Sequence, residues 1–450
     1  MLEKARNIRM VFQEFIETTF KQKKRIFRLG REFSWILAGQ SASVLGALVL
    51  VRVLTEHLEP VEYGRLALAL TIITFFNQCV MSLNSGVGRY FTVALQEKEL
   101  TKFFFAALNL LFLQLVLVTV LSSIGLIILK LLGLDSWLTV TVAAAVFAFI
   151  SGFNSCLSSI QTAARQRASV ALHSGCEAWL KIGLVFLAIT IFGRQCESVV
   201  VGYTLAFLLV GLSQFYWVKR LVYSEVPVPQ SGRAYFWEKR ILSFSWPFPI
   251  WGVFYWMQSS SDRWSLERFS NTAEVGQYAV LFQLGYAPIS LATAMAATFL
   301  APILYQRFSL NHDFAKRHSV NDISWNTTKL IIGCTVLGFM VAMFCHQWIF
   351  QLLVAEPFRK ASFLFPWIVL AGGLFSAAQT LSLKLMAEMR TQQLLVIKVF
   401  TAVLGTGFNI LGGWLYGIAG VTAGTLLFSL VYLIWITLIA ATNNDLPSNR

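Results

Sequence analysis

The chain has 450 residues, 56% of them hydrophobic and only 13% charged, with a mean hydropathy of +0.65. A water-soluble domain carries charge on about a quarter of its residues, so a soluble protein of 50.5 kDa would lack the charges to coat its surface. This excludes a soluble enzyme, a disordered chain and a free nucleic-acid binder, and the net charge of +14 needs another origin.

Apolar stretches of about 20 residues, the length that spans a bilayer, recur along the whole chain. In order they cover 34–54, 66–88, 103–129, 137–160, 170–192, 199–217, 241–260, 277–304, 327–350, 362–383, 392–412 and 418–440. Backbone polar groups find no partner in hydrocarbon outside a helix or a closed barrel, and these segments are too long for barrel strands. The expected fold class is an all-α polytopic membrane protein with about 12 transmembrane helices.

Residues 1–33 precede the first span and contain the run Lys21, Lys23, Lys24, Arg25, Arg28 and Arg31. The first span runs into Arg52 without a small-residue cleavage site, unlike a removable signal peptide. The basic segment either sets orientation or lies as an amphipathic helix on anionic lipid. When alternate connections are compared, one side carries a large Lys and Arg excess and the other is near balance. By the positive-inside rule both termini are expected in the cytoplasm, which also accounts for the net charge without nucleic acid.

The two longest polar connections, 219–240 and 305–326, fall on the basic side. The first contains Pro227, Pro229, Ser231 and Gly232 and divides the chain near its midpoint. The expected organisation is a basic N-terminal segment 1–33, a first lobe 34–218, a linker 219–240, a second lobe 241–440 and a tail 441–450. No connection can hold a soluble catalytic domain and no GxxxxGK[ST] motif is present, which argues against an ATP-driven pump.

The lobes look duplicated. Pro60-Val61-Glu62-Tyr63-Gly64-Arg65-Leu66-Ala67 follows the first span and Thr272-Ala273-Glu274-Val275-Gly276-Gln277-Tyr278-Ala279 follows the seventh. Glu62 matches Glu274, Gly64 matches Gly276 and Ala67 matches Ala279. A weaker match pairs Ala164-Arg165-Gln166-Arg167 with Ala387-Glu388-Met389-Arg390, after the fourth and tenth spans. Six spans per half make the repeat parallel, and transporters of this build hold substrate between the halves.

These segments resemble the O-antigen type of polysaccharide flippase, a branch of the multidrug/oligosaccharidyl-lipid/polysaccharide exporter superfamily. The resemblance rests on Arg52-Val53-Leu54 with Glu62-Tyr63-Gly64-Arg65-Leu66-Ala67, on Gly86-Val87-Gly88-Arg89-Tyr90, and on Asp262-Arg263 with Glu274-Val275-Gly276-Gln277-Tyr278. It covers nearly the whole chain. Leu54-Thr55 stands where the family has leucine-glycine, and the extra helix pair of lipid II flippases is absent. The resemblance implies two six-helix lobes in a multi-pass protein of the bacterial inner membrane. It implies translocation of a polyprenyl-diphosphate-linked glycan to the periplasmic leaflet. Membrane lipid, a glycan polymerase and export machinery are the partners it implies.

An ionisable side chain within a span is costly and is therefore a functional candidate. Lys181 in the fifth span and Lys398 in the eleventh lie deep in helices that are equivalent in the two halves, so both are expected to face one cavity. Arg52, Arg89 and Arg263 at the ends of the first, second and seventh spans complete a cationic set suited to phosphate oxygens. Each has a plainer alternative: Glu177 stands one turn before Lys181, Asp262 and Arg263 can tie a helix end, and Arg52 and Arg89 can snorkel to lipid. Glu177 and Asp262 are candidates either for ion pairing or for coupling transport to a proton or sodium gradient.

Neither the six cysteines nor the five histidines show metal-ligand spacing. No cofactor, metal or catalytic residue is expected. Two rival functions remain open. A cation-coupled multidrug exporter of the same superfamily would need buried acids for cationic drugs. A membrane glycan polymerase would need a large outer loop or clustered acids.

Overall fold

The computed structural model describes residue 30 and residues 34–224, 235–309 and 314–442. The expected surface helix in 1–33, the middle of the linker and the tail beyond 442 lie outside the described residues. Among those described, all regular secondary structure is helical, and the protein is a multi-pass membrane protein. Nine helices among them are long and apolar enough to cross a bilayer.

The first half comprises α1 (Ser34–His57), α2 (Pro60–Phe75), α3 (Ser85–Gln96), α4 (Leu100–Leu131), α5 (Leu138–Ala163), α6 (Arg167–Phe192) and α7 (Cys196–Ser224). The second comprises α8 (Tyr235–Ser245), α9 (Pro247–Phe269), α10 (Thr272–Leu281), α11 (Ala287–Ser309), α12 (Phe314–Leu353), α13 (Phe365–Ala387) and α14 (Thr391–Ala441). The helix α14 is two spans joined at Tyr416 and Gly417, where Gly417 adopts φ 55° and ψ −133°, a conformation open mainly to glycine. Two other spans are interrupted: α2 reaches α3 through a π turn (Phe76–Val80) and a 3₁₀ turn (Met81–Asn84), and α8 breaks at Trp246 before α9. Counted with these, the described residues hold twelve helical spans, the number expected.

The interruptions have local causes. Pro247 opens α9 and lacks the N–H that would continue α8. The eighth span carries a π turn at Phe282–Tyr286, followed by Pro288 at the start of α11. The second and eighth spans are equivalent in the two halves, so each half bends its second helix with a π turn, a feature that often marks functional sites.

The repeat predicted from sequence reappears as paired contacts at the face carrying the short connections. Glu62 accepts the Cys196 N–H at the start of α7, at 2.9 Å. Glu274 accepts the Ile418 N–H at the start of the last span, at 3.0 Å. Both carboxylates sit at helix N-termini, where the exposed N–H groups and the dipole favour them. Between them α2 crosses α10. A side chain on Gly64 would strike the Thr272 carbonyl, and one on Gly276 would strike the Pro60 carbonyl. Pro60 and Thr272 are repeat equivalents, as are Gly64 and Gly276, so the crossing is its own image under the pseudo-twofold relation. Away from this face the spans diverge: α3 turns to α4, α5 and α8, while α11 turns to α12 and α13.

The weaker repeat match needs a shift of register. The turns after α5 and α13 end on left-handed residues, Arg165 (φ 57°) and Met389 (φ 59°). Each turn closes the same way, with Gln166 N–H to the Gln161 carbonyl and Arg390 N–H to the Leu385 carbonyl, as in a Schellman ending. Backbone geometry thus pairs Arg165 with Met389, one residue off the sequence alignment.

The helix α8 starts the seventh span yet packs on the first half, against α3 and α4. Trp237 is fully buried there, and its Nε1 donates to Glu99 at 2.9 Å. Glu99 also pairs with Lys102 at 2.8 Å. These hydrogen bonds, Lys102 first, hold its carboxyl below the ordinary glutamate value of 4.5. Lys384, near the end of α13, is buried. Its ammonium donates to Asn321 Oδ1 at 2.7 Å and to the Ala440 carbonyl at 3.0 Å. A cation there satisfies a last-turn carbonyl of α14 and ties it to α12 and α13.

Candidate functional site

A cavity of about 530 Å³ lies between the two halves. The first half contributes α1, α2, α6 and α7 to its wall, and the second contributes α9, α10, the π turn, α11, α13 and α14. The α2–α10 crossing places Ala67 and Ala279 on this wall.

Four of the seven charged residues selected from sequence line the cavity: Glu177, Lys181, Asp262 and Arg263. They form two ion pairs, one from each half. On α6, Lys181 Nζ meets Glu177 Oε1 at 2.8 Å and lies 4.4 Å from the centre of the Phe207 ring. This is the favourable spacing and order for a helical pair. On α9, Arg263 Nη1 lies 3.3 Å from Asp262 Oδ1 and donates to the Ser259 carbonyl at 3.0 Å. Its guanidinium sits 4.8 Å from the centre of the Phe282 ring, a cation–π distance. Asp262 is 4% exposed, and a buried carboxylate needs such donors to stay charged. Its Oδ1 also accepts the Arg263 backbone N–H at 2.7 Å.

The other three cations lie elsewhere. Lys398 does not share the cavity with Lys181. Its ammonium sits 5.0 Å from the Trp251 ring centre, beside α9. Asn409, which does line the cavity, stands three turns further along α14, about 16 Å away at 1.5 Å per residue. Lys398 is therefore on the right stripe of its helix at the wrong height. Arg52 pairs with Glu56 one turn on, while its neighbours Val51 and Leu54 line the cavity. Arg89 is exposed over the Phe244 ring, 5.7 Å from its centre, where α3 meets α8. The cationic cavity expected from sequence is instead balanced: its lining brings two cations and two carboxylates.

Uncharged polar and aromatic residues complete the wall. Phe282 and Tyr286 stack with centroids 4.5 Å apart, and Tyr63, Tyr203 and Tyr255 add further rings. The side-chain amides of Gln258 and Gln283 have no hydrogen-bond partner among the described residues. Asn409 donates to Ser261 Oγ at 2.9 Å, and its Oδ1 is unpaired. Reading for charge alone missed these groups. The available signal was an amide within an apolar span, which has the same polar cost in hydrocarbon on a smaller scale. Thr71 lines the same wall and accepts from two indoles of α9, Trp256 to its carbonyl at 2.8 Å and Trp264 to its hydroxyl at 2.9 Å.

One cluster near the α2–α10 crossing has donor atoms spaced for a metal, Glu62, Cys196 and Glu197, all within 4.8 Å. Glu62 is already engaged by Arg65 at 3.2 Å and by the Cys196 N–H. Its carboxylate serves the helix junction.

The helices and the cavity define an all-α transporter-like bundle with a binding space at the seam of two repeats. Residues 29–308 match the family model described as polysaccharide biosynthesis protein, and the chain belongs to that family. No curated protein sequence matches the chain significantly. Solved structures of similar fold include a multidrug resistance MATE family transporter of the MOP superfamily in an inward-facing conformation. That likeness has 15% identity and a TM-score of 0.65, covering 89% of this chain and 94% of that one. The lipid II flippase MurJ in an inward closed conformation is also similar, at 14% identity and a TM-score of 0.67, covering 91% and 87%. An outward-facing MATE family transporter gives 15% identity and a TM-score of 0.55, covering 91% and 96%. At these identities the likeness shows the fold alone.

Proposed function

We propose that this protein is a transporter, not an enzyme, and that it flips a polyprenyl-diphosphate-linked glycan from the cytoplasmic to the periplasmic leaflet of a bacterial inner membrane. The observation that carries this reading is the cavity at the seam, to which each half gives one cation. A diphosphate presents two charged groups, which suits one contact from Lys181 and a second from the Arg263 fork. Before substrate binds, Glu177 and Asp262 hold those cations in place. Bound phosphate takes over the contacts, and the released carboxylates become the points where a proton or sodium ion can couple to transport. An inside-negative potential adds about 2.3 kcal/mol per charge per 100 mV to outward movement of an anion.

Alternating access follows from the crossing of α2 and α10, which closes the short-connection face. Both termini are cytoplasmic in this reading, so the closed face is the periplasmic one. The lobes 34–218 and 241–440 are the units that rock, and a glycan polymerase and export machinery act on the product. The multidrug-exporter reading is weaker because both cavity carboxylates are already held by cations, leaving no free acid for a cationic drug.

The test is complementation of a strain lacking its own flippase, with membrane abundance held constant. Lys181→Ala and Arg263→Ala should abolish surface glycan and leave lipid-linked precursor on the inner leaflet. Normal export by both variants would overturn the headgroup role.

A further inference from the structure

We infer that the cavity selects uncharged glycans and rejects repeat units bearing acidic sugars, an inference that rests on the flippase reading above. The basis is the charge balance of the wall. Among the described lining residues the cations are Lys181 and Arg263, and both are committed, to carboxylates before substrate binds and to the diphosphate afterwards. Among the described lining residues no further cation remains for a uronic or other acidic sugar. Displacing Glu177 and Asp262 from their partners also sets two carboxylates free beside the glycan until a coupling ion neutralises them. An acidic sugar would meet like charges in a space partly removed from water, where unpaired charge is expensive.

The remaining wall suits neutral sugars. A sugar ring presents apolar C–H faces and a rim of hydroxyls. The exposed ring of Tyr255 offers a flat apolar surface, and the half-buried Phe282, stacked on Tyr286, adds apolar wall beside it. Gln258 and Gln283 offer amides without partners among the described residues. An amide both donates and accepts, which matches a hydroxyl and gives no preference for a carboxylate. Specificity of this kind comes from repulsion of the wrong ligand as much as from attraction of the right one.

The experiment compares repeat units that share the prenyl-diphosphate carrier and differ in charge. A flippase-deficient strain is supplied with biosynthetic genes for several neutral repeat units, or for matched units containing a uronic acid, and surface glycan is measured per unit of epitope-tagged protein. Neutral units should be displayed, and acidic ones at least about tenfold less, because like-charge juxtaposition costs more than the ~1.4 kcal/mol a factor of ten represents. A second arm adds a cation with Gln258→Lys, which should raise the acidic-to-neutral ratio at unchanged protein abundance. Equal display of acidic and neutral units overturns the selectivity and leaves the flippase reading standing. A ratio unmoved by Gln258→Lys overturns the charge account. Display of no unit of either kind by abundant protein overturns the flippase reading itself.

Discussion

A valine at Gly64 tests the closure of the short-connection face. The α2–α10 crossing has no room for a Cβ at this position, because it would collide with the Thr272 carbonyl, a backbone atom that cannot rotate away. Overpacking of this sort costs about 1–3 kcal/mol. The cost falls on the closed state, since separation of the two halves removes the contact. An equilibrium between closed and open forms should therefore move by about 5- to 150-fold toward opening at this face. The reporter is a single cysteine at Ala279, which lines the cavity and is 7% exposed, in a chain with its own six cysteines replaced. Labelling by a membrane-impermeant maleimide from outside the cell should rise at least about fivefold with Gly64→Val. Gly125→Val is the control and should leave labelling unchanged, because Gly125 on α4 faces open space where a side chain would project. Gly276→Val should act like Gly64→Val, and the pair should fall short of additive because the two sites touch. If Gly64→Val lowers thermal stability while labelling stays at the parent rate, the crossing is a static packing contact and the reasoning fails.

Other consequences can be measured independently. Glu62→Ala and Glu274→Ala each remove a carboxylate from a helix N-terminus. Each should cost about 1 kcal/mol in detergent unfolding, and markedly unequal losses would contradict the repeat. Lys398→Ala should keep glycan export near the parent level, since its ammonium lies over Trp251 and outside the cavity. Lys384→Met should lower stability by about 1–3 kcal/mol by leaving Asn321 and the Ala440 carbonyl without their donor, read as a drop in unfolding temperature. Glu99 has a depressed carboxyl pKa, so its folded-state contacts stabilise above the ordinary glutamate range and are lost as pH falls through its lowered value. The difference in unfolding temperature between the parent and Glu99→Gln should therefore be present at neutral pH and shrink in acid. A constant difference would discount the Lys102 and Trp237 contacts.

Much of the architecture was legible in the chain because a bilayer imposes a one-dimensional rule. Each crossing must be a long apolar helix, so twelve spans could be counted without knowing any contact. The Glu62 and Glu274 repeat was equally readable, since a duplicated structural job leaves the same residue at the same distance from each helix start. What composition could not convey was the height and direction of a side chain on its helix. Lys181 and Lys398 looked equivalent by depth, yet one faces the cavity and the other lies over Trp251.

The sequence by itself determined that the protein crosses a membrane, how many times it does so, and that its two halves are copies, because hydropathy and periodicity depend on residues close together in the chain. Only the tertiary structure decided the charge of the binding space. That quantity depends on which side chains from α6 and α9 reach the same cavity and whether each cation meets a carboxylate within about 3 Å. A pair at that distance cancels a field that either charge alone would project across the low-dielectric interior, so a small change in helix rotation separates a cationic pocket from a neutral one.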